Sequence, residues 1–348
     1  MRLLVLTPTR DDTTSLYRAA GVMKDLQRKM PDLQYDLEDL DSIKKLTWSV
    51  LKLYDIVYLQ RPYKSQNLVA YCKDLGIPVW VDYDDNLFEL PRINERATEV
   101  YSNDPIRSQL KEIAKMATVV TVSTAELGRY YGRFNKNVKV IPNALDIEYI
   151  GQPREKVNEK KVIMWRGGDS HRGDVYRFAN QIFPATLRAT DWSFLWAGFN
   201  FAERMAWYFG RDILLDDLAD AFGNNVYEPA KDPTHYFRWI RDIGPRALHF
   251  PLEDSLFNRC KSNIAALEGT WSGAVCLVPD WEEWQIPGTI RYNNPVEYGE
   301  KLKMILEEQF SFNKYRGQAL DYIMEHYRLS RINNLRKDLI NELMNTKA

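Results

Sequence analysis

The stretch that decides the fold is Val162-Ile-Met-Trp-Arg-Gly-Gly-Asp-Ser-His-Arg-Gly-Asp174. A short apolar run ends in an arginine and two glycines, and a polar turn then leads into a helical pattern. Glycines let the backbone approach a ligand closely, and the start of the following helix favours an anion. Arginines there can bind phosphate oxygens through charge-assisted hydrogen bonds. The alternative is an ordinary strand–turn–helix connection with surface arginines. The candidate phosphate-binding residues are Arg166, Gly167, Gly168, His171 and Arg172.

On both sides of this stretch, short apolar runs alternate with longer amphipathic ones, which is typical of parallel sheets wrapped by helices. The predicted strands are Leu3–Leu6, Asp55–Leu59, Val79–Asp82, Val119–Val122, Val138–Ile141, Val162–Trp165, Ser193–Ala197, Ala247–Phe250 and Val275–Val278. The predicted helices are Ser15–Lys29, Ser65–Leu75, Pro105–Met116, Ala125–Tyr131, Asp174–Arg188, Tyr236–Ile240, Asn258–Glu268 and most of the tail from Pro295 to Met344. The fold class is therefore α/β.

A polar connector divides this alternation into two halves. The chain has 348 residues, which exceeds the usual size of one hydrophobic core. We predict an N-terminal domain over residues 1–146, a linker over 147–160 and a C-terminal domain over 161–325. Residues 326–348 form the last helix. Ligands of open α/β sheets bind outside the carboxyl ends of the strands, so functional residues should follow strands directly.

Composition excludes several classes of protein. The formal net charge is -1, with 47 Lys and Arg against 48 Asp and Glu, so nucleic acid is a partner that stays open but is not favoured. Three scattered cysteines, Cys72, Cys260 and Cys276, are too few for a disulfide framework or a zinc cage and predict a cytoplasmic protein. No apolar run is long enough to span a bilayer, although a peripheral membrane contact stays open.

A second candidate anion site follows the strand Ala247–Phe250. The next helix begins near Lys261, Ser262 and Asn263, so its first amides can face a phosphate. Glu268 lies about two turns along, where a buried carboxylate could accept two hydroxyl hydrogens from a ribose. The alternative is a solvent-facing glutamate near the end of a helix, a position that the helix dipole disfavours.

An acidic cluster follows the strand Val79–Asp82. Asp82, Asp84 and Asp85 could bind a divalent metal through their oxygens, contact an acceptor, act as a base, or simply cap the strand end in an Asx-turn. The loop between the first strand and the first helix, Thr7–Arg18, contains no glycine. Arg18 is its one candidate ligand contact.

These segments together resemble the GT-B glycosyltransferases of family 4, including a compact group found in phages and bacteria. Val138-Lys-Val-Ile-Pro-Asn-Ala-Leu-Asp146 is similar to the V-x-V-I-P-N-G-V-D segment that closes the family's N-terminal domain. Arg166 and Arg172-Gly173 match its Arg-x5-Lys-Gly pair, with arginine in place of lysine. The compact group's donor helix pattern is matched by Pro251-Leu252, Phe257-Asn258, Lys261-Ser262 and Leu267-Glu268.

The resemblance implies two Rossmann-like domains that face each other across a cleft, with a nucleoside-diphosphate sugar as co-substrate in the C-terminal one. Arg166 and Arg172, with Lys261, would hold the diphosphate. The N–H groups of Ser262 and Asn263 would face the same phosphates, and Glu268 would bind the ribose. The family's first glutamate, which contacts the transferred sugar, falls on Cys260.

On the acceptor side, the cleft-facing candidates are Arg18, Asp82, Asp84 and Asp85. The resemblance also implies retention of configuration, no metal, no further cofactor, and a last helix that crosses back to the N-terminal domain. The acceptor stays open among a glycan, a lipid-linked glycan, a protein and a modified DNA base. Alternative functions are an epimerase- or phosphorylase-like enzyme, or a non-catalytic sugar-nucleotide-binding module.

Overall fold

A computed structural model of the chain describes residues 1–168, 171–201, 203 and 224–346. It divides into two compact units. The first contains Met1–Ile147, Arg259–Ser262 and the chain from His326 onward, and the second contains Glu148–Asn258 and Asn263–Glu325.

The first unit is built on a six-stranded sheet in the order β2-β1-β3-β4-β5-β6, in which every pair of neighbours is parallel. Its strands are β1 (Arg2–Thr7), β2 (Gln34–Asp39), β3 (Ile56–Gln60), β4 (Val79–Tyr83), β5 (Val119–Val122) and β6 (Val138–Val140). Its α-helices are Thr13–Arg18, Ala20–Lys29, Trp48–Leu51, Gln66–Asp74, Glu95–Tyr101, Asp104–Met116, Ala125–Tyr131 and Leu329–Thr346, and Leu40–Lys45 is a 3₁₀ helix.

The final helix of the chain packs on the first unit. Leu145 and Arg328 form a parallel bridge, and the helix Leu329–Thr346 then lies against the helix Ala20–Lys29. The buried side chain of Asn333 donates to the backbone oxygen of Val22 at 3.1 Å and to Asp25 Oδ2 at 2.7 Å. Residues from both helices share one apolar core with the first strand.

The second unit has a six-stranded parallel sheet of its own, in the order β12-β11-β10-β7-β8-β9. Its strands are β7 (Val162–Arg166), β8 (Ser193–Ala197), β9 (Asn225–Glu228), β10 (Ala247–His249), β11 (Val275–Pro279) and β12 (Ile290–Tyr292). Its helices are Arg172–Arg177, Ala179–Arg188, Pro233–Ile243, Leu256–Arg259, Ile264–Ser272, Pro295–Leu306 and Phe312–His326, with a 3₁₀ turn at Glu282–Trp284, and the short helix Ile147–Ile150 precedes them.

All nine strands predicted from apolar runs are present, and the three that were missed lie at sheet edges. These are β2, β9 and β12. An edge strand shows part of its length to solvent, so its polar residues interrupt the apolar run that marks a central strand. In β2, for example, no residue of Gln34–Asp39 is fully buried.

Three predicted helices are each interrupted. The predicted helix Asp174–Arg188 is divided at Phe178. The predicted helix Ser15–Lys29 breaks at Ala19, whose φ of -127° and ψ of -83° are not helical. The predicted helix Asn258–Glu268 ends at Arg259 and resumes at Ile264. Tertiary hydrogen bonds replace helical ones in this last gap: Thr124 Oγ1 donates to the backbone oxygen of Cys260 at 2.9 Å. Among the described residues, no helix is both long enough and apolar enough to cross a membrane.

Candidate functional site

The end of β7 brings Arg166 to Glu268 in the second unit. The Nη2 atom of Arg166 lies 2.8 Å from Oε2 of Glu268, whose side chain is only 1% exposed. Tyr236, on the helix Pro233–Ile243, donates its hydroxyl hydrogen to the same oxygen at 2.9 Å. Burial raises the pKa of Tyr236 well above its ordinary value, and the charge of Glu268 raises it further, so this hydroxyl keeps its proton. The solvent-facing alternative for Glu268 does not apply.

His171 and Asp174 join the loop after β7 to the loop after β10. His171 Nδ1 lies 2.8 Å from Asp174 Oδ2. The other oxygen of Asp174 accepts a hydrogen bond from the backbone N–H of Glu253 at 2.9 Å and one from the amide of Asn258 at 2.6 Å. Arg172 is the first residue of the helix Arg172–Arg177. The two residues before His171 lie outside the described residues.

Gly167 is required by packing in addition to any role toward a ligand. A Cβ atom on Gly167 would lie 2.7 Å from the indole ring of Trp165. Gly198, at the end of β8, has a φ of +83°, and a Cβ there would lie 2.3 Å from the carbonyl oxygen of Gly167. The ends of β7 and β8 therefore approach too closely for side chains at these positions.

The aromatic side chain of Phe250 contacts residues of the predicted phosphate loop. The ring of Phe250 contacts the ring of His171 with centroids 5.3 Å apart and stacks on Trp284 at 5.6 Å. The guanidinium carbon of Arg166 lies 6.0 Å from the Phe250 ring centre. Phe250 thus contacts two predicted donor-binding residues of the stretch Val162–Asp174.

The residues of the second predicted anion site differ in the unit to which they belong and in their partners there. Its helix begins at Ile264, three residues later than expected for a start at Lys261. Asn263 belongs to the second unit, where its buried amide donates to the backbone oxygen of Glu283 at 2.9 Å. Ser262 and Lys261 belong to the first unit: Ser262 Oγ accepts from Asn143 at 2.8 Å, and Lys261 Nζ lies 3.9 Å from Asp85 Oδ1.

Cys260, at the position of the family's first glutamate, is fully buried in the first unit. The amide of Asn86 donates to its sulfur at 3.6 Å. Burial raises the pKa of the thiol to about 12, so it is neutral. This position therefore supplies no charged acceptor for a sugar hydroxyl.

Arg18 and Asp82 form a buried ion pair in the first unit, which corrects the expectation that both face a cleft. Arg18 Nε and Nη2 donate to the two carboxylate oxygens at 2.9 and 2.6 Å, and the side chains are 0% and 1% exposed. Arg18 Nη1 also donates to the backbone oxygen of Ile141 and to Asn143. A buried pair with this many internal partners is structural, because it joins the first helix to the ends of β4 and β6.

Arg61, which no sequence motif identifies, pairs with the other two acids of the cluster. Its guanidinium is bidentate to Asp84 and donates to Asp85 Oδ2 at 2.7 Å. Its backbone is left-handed, with a φ of 44°, so the clamp is held in a strained conformation. Burial raises the pKa of Asp84, and the charge of Arg61 opposes that shift. Arg61 directly follows β3, and this position at a strand end could have identified it as a candidate site residue.

Two further features of the acidic cluster bear on whether it binds a metal ion or forms an Asx-turn. Among the described residues, no group of three His, Cys, Asp or Glu side chains is arranged to hold a metal ion. An Asx-turn does follow β4, but Asn86 makes it, with its side-chain oxygen accepting from the N–H of Phe88 at 3.2 Å. Asp84 and Asp85 remain partly exposed on the first unit.

Comparison with known proteins places this geometry in a recognised fold. No protein-family model matches the sequence, and no curated protein does. Among solved structures, sucrose-phosphate synthase from Thermosynechococcus elongatus matches with a TM-score of 0.67 and 11% identity, over 98% of each chain. A glycosyltransferase from Rickettsia africae matches with a TM-score of 0.66 and 11% identity, over 99% of this chain and 98% of that one.

A third solved structure is HepE from Anabaena, in complex with UDP-glucose. It matches with a TM-score of 0.65 and 10% identity, over 98% of this chain and all of the other. The expected GT-B fold, with two Rossmann-like units, is therefore confirmed. Identity this low carries the fold alone, and membership of family 4 stays a prediction.

Proposed function

We propose that this protein is a glycosyltransferase that transfers a sugar from a nucleoside-diphosphate sugar to a hydroxyl acceptor. The fold is shared with sugar-transferring enzymes, one of which was solved with UDP-glucose. The proposed donor site is in the second unit, at the carboxyl ends of β7 and β10. We further propose that the protein acts in the cytoplasm, since its cysteines are free thiols.

The observation that carries this proposal is the contact among Arg166, Glu268 and Tyr236. A cation and a buried carboxylate lie side by side at a strand end. A nucleotide presents a 5′-diphosphate next to ribose hydroxyls, so it offers an anion to the arginine and hydroxyl hydrogens to the carboxylate. The hydroxyl of Tyr236 holds the carboxylate in place for this role.

The chemistry we propose needs mainly positive charge. As the bond between the sugar C1 and the diphosphate oxygen breaks, its electron pair stays on that oxygen. Arg166 and Arg172, with the N–H group of Asn263, stabilise the developing charge. The acceptor oxygen bonds to C1, and its proton passes to the leaving phosphate. Retention of configuration is proposed from the resemblance.

Arg61 supports a reaction that does not depend on a metal. The carboxylates of Asp84 and Asp85 would otherwise attract a divalent cation, and the Arg61 guanidinium already supplies the counter-charge. Because the two acids remain partly exposed, we propose them as acceptor contacts. The candidate acceptors are glycans, lipid-linked glycans, proteins and modified DNA bases.

The experiment that tests the donor site is a thermal shift with UDP-, GDP-, ADP- and TDP-sugars. A ligand at 100 times its dissociation constant stabilises the folded state by about 2.7 kcal/mol, which is a readily measured shift. We expect a shift with one nucleotide class. No shift with any of the four, from folded protein, would remove the donor assignment.

Turnover separates transfer from the two alternative functions. A transferase consumes the donor rapidly only after an acceptor is added, whereas a binding module never consumes it. An epimerase-like enzyme converts the donor without any acceptor, and a phosphorylase-like enzyme requires only phosphate. Acceptor panels with the nucleotide sugar found above therefore decide among them.

A further inference from the structure

A carboxyl group that the proposed reaction does not use lies beside the proposed donor site in the second unit. Glu283 is in the 3₁₀ turn Glu282–Trp284, which follows the carboxyl end of β11. Its backbone oxygen accepts from the side-chain amide of Asn263 at 2.9 Å. Asn263 directly precedes the helix Ile264–Ser272, and its N–H group is a proposed phosphate contact. The turn is therefore attached to the start of that helix.

A second contact joins the same turn to the loop after β7. The ring of Trp284 stacks on Phe250 with centroids 5.6 Å apart, and Phe250 contacts the ring of His171 at 5.3 Å. His171 belongs to the predicted phosphate loop. The residue next to Glu283 is thus linked through one aromatic ring to the other segment that would bind the donor.

Two buried acceptor atoms at this place have no hydrogen-bond partner within the described part of the chain. They are Oδ1 of Asn263, a fully buried residue, and Oε1 of Glu283. The buried carboxylates of Asp82, Asp174 and Glu268 differ, because each has at least two polar partners in the protein. A buried acceptor without a partner costs free energy. Hydrogen bonds from a ligand would remove that cost.

The order of groups in a nucleoside-diphosphate sugar decides which of them reaches Glu283. Glu268, the proposed ribose contact, lies five residues along the chain from Asn263, or about 7.5 Å along a helix at 1.5 Å per residue. The diphosphate separates the ribose from the transferred sugar. With the ribose at Glu268 and the phosphates at the start of the helix, the sugar lies beyond that start, where the turn that contains Glu283 is attached.

We propose that Glu283, together with the side-chain oxygen of Asn263, binds hydroxyl groups of the transferred sugar and so selects which sugar the protein accepts. This inference rests on the proposed function and assigns the sugar end of the same donor site. A sugar hydroxyl donates one hydrogen bond and accepts others, as a carboxyl and an amide oxygen require. Glu283 is half-buried, so a ligand can reach it.

The protonation state of Glu283 is compatible with a place beside a diphosphate. Burial raises the pKa of its carboxyl to about 8, and the charge of Glu282 adds to the shift. At neutral pH most of this carboxyl is therefore uncharged and does not repel the phosphates. A protonated carboxyl can also donate to one hydroxyl oxygen while it accepts from another hydroxyl.

The test compares nucleoside diphosphates with and without their sugars by isothermal titration calorimetry. The probes are UDP and UDP-glucose, GDP and GDP-mannose, ADP and ADP-glucose, and TDP and TDP-glucose. For the pair that binds, we expect Glu283→Ala to weaken the nucleotide sugar about tenfold and to leave the nucleoside diphosphate unchanged, since only hydrogen bonds to the sugar are lost. Glu283→Gln keeps the volume and two hydrogen-bonding atoms, so it should lose less.

A matched control is Glu300→Ala, which removes an exposed carboxylate of the same unit and should bind both probes like the wild type. A melting temperature equal to that of the wild type shows that a variant is folded. If folded Glu283→Ala weakens both probes equally, or neither, Glu283 does not contact the sugar and this proposal is overturned while the donor site stands. If no probe binds the folded wild type, the proposed function itself fails, and this inference fails with it.

Discussion

Arg166 and Glu268 come from distant parts of the chain and meet in an ion pair of 2.8 Å at the carboxyl ends of the second sheet. The arginine ends β7, and the glutamate lies in the helix Ile264–Ser272. Because Glu268 is buried, its charge depends on Arg166 and on the hydroxyl of Tyr236 for stabilisation. The pair therefore contributes both to folding and to the proposed donor site.

The first prediction concerns the charge of Glu268. The variant Glu268→Gln keeps the side-chain volume but leaves Arg166 without its carboxylate, so we expect a lower melting temperature and loss of most of the nucleotide-sugar shift. Removing one partner of a buried ion pair lowers the unfolding free energy by about 3–5 kcal/mol. Because Arg166 is partly exposed, we expect a loss of about 3 kcal/mol or less. Differential scanning fluorimetry with and without donor measures both effects.

A matched control for this variant is Glu300→Gln, which changes an exposed glutamate of the same unit. It should leave both the melting temperature and the donor shift unchanged. A full donor shift in folded Glu268→Gln would remove Glu268 from the donor site.

The second prediction concerns the Tyr236 hydroxyl. The variant Tyr236→Phe removes only the hydrogen bond of 2.9 Å to Glu268. A hydrogen bond to a charged group contributes about 1.5–3 kcal/mol, so we expect a fall in unfolding free energy of this size in urea titrations. Since Tyr236 positions Glu268 and does not react, the KM for the donor should rise while kcat changes little. A fall in kcat alone would contradict the positioning role, and Tyr227→Phe, at an exposed tyrosine, is the control.

The sequence was sufficient to identify both members of the Arg166–Glu268 pair, but not to pair them. Arg166 lies at the end of a strand and Glu268 lies in the helix that follows the next predicted anion loop, and both positions can be identified from the local sequence. Their contact depends on sheet order, which places β10 beside β7, and the sequence does not record that order. Tyr236 was missed because its helix contains no motif that distinguishes this tyrosine from the other tyrosines of the chain.

The acidic cluster shows a different limit. Asp82, Asp84 and Asp85 were identified together as ligand-facing, yet Arg18 buries the first and Arg61 clamps the other two. Asp82 lies within β4, whereas Asp84 and Asp85 follow its end at Tyr83. The arginines that pair with them come from other segments of the chain, which the local sequence does not identify. The edge strands β2, β9 and β12 were likewise missed because their partners, not their own apolar content, make them strands.

The third prediction concerns the buried pair of Arg18 and Asp82. Arg18→Met should leave the buried Asp82 without its cationic partner, at a cost of about 3–5 kcal/mol in unfolding free energy. The double variant Arg18→Met with Asp82→Leu removes both charges and should be more stable than either single variant. Urea titrations measure these differences. If the pair is structural, any variant that folds keeps the full donor shift, and a folded single variant that loses the shift would contradict this assignment.

The last prediction concerns the pH dependence of stability through Glu283, which lies in the 3₁₀ turn after β11. Burial raises the pKa of this carboxyl from 4.5 to about 8, and the charge of Glu282 adds to the shift. The folded chain therefore holds a proton there that the unfolded chain releases from pH 4.5 upward. The stability from this group is fully present below pH 4.5 and declines by about 1.4 kcal/mol per pH unit until the pH passes 8. Glu283→Gln cannot ionise, so its unfolding free energy relative to the wild type should rise over this window and level off above it. Urea titrations of both proteins at several pH values measure that difference, and a difference that does not change with pH would show that folding does not raise the pKa of this carboxyl.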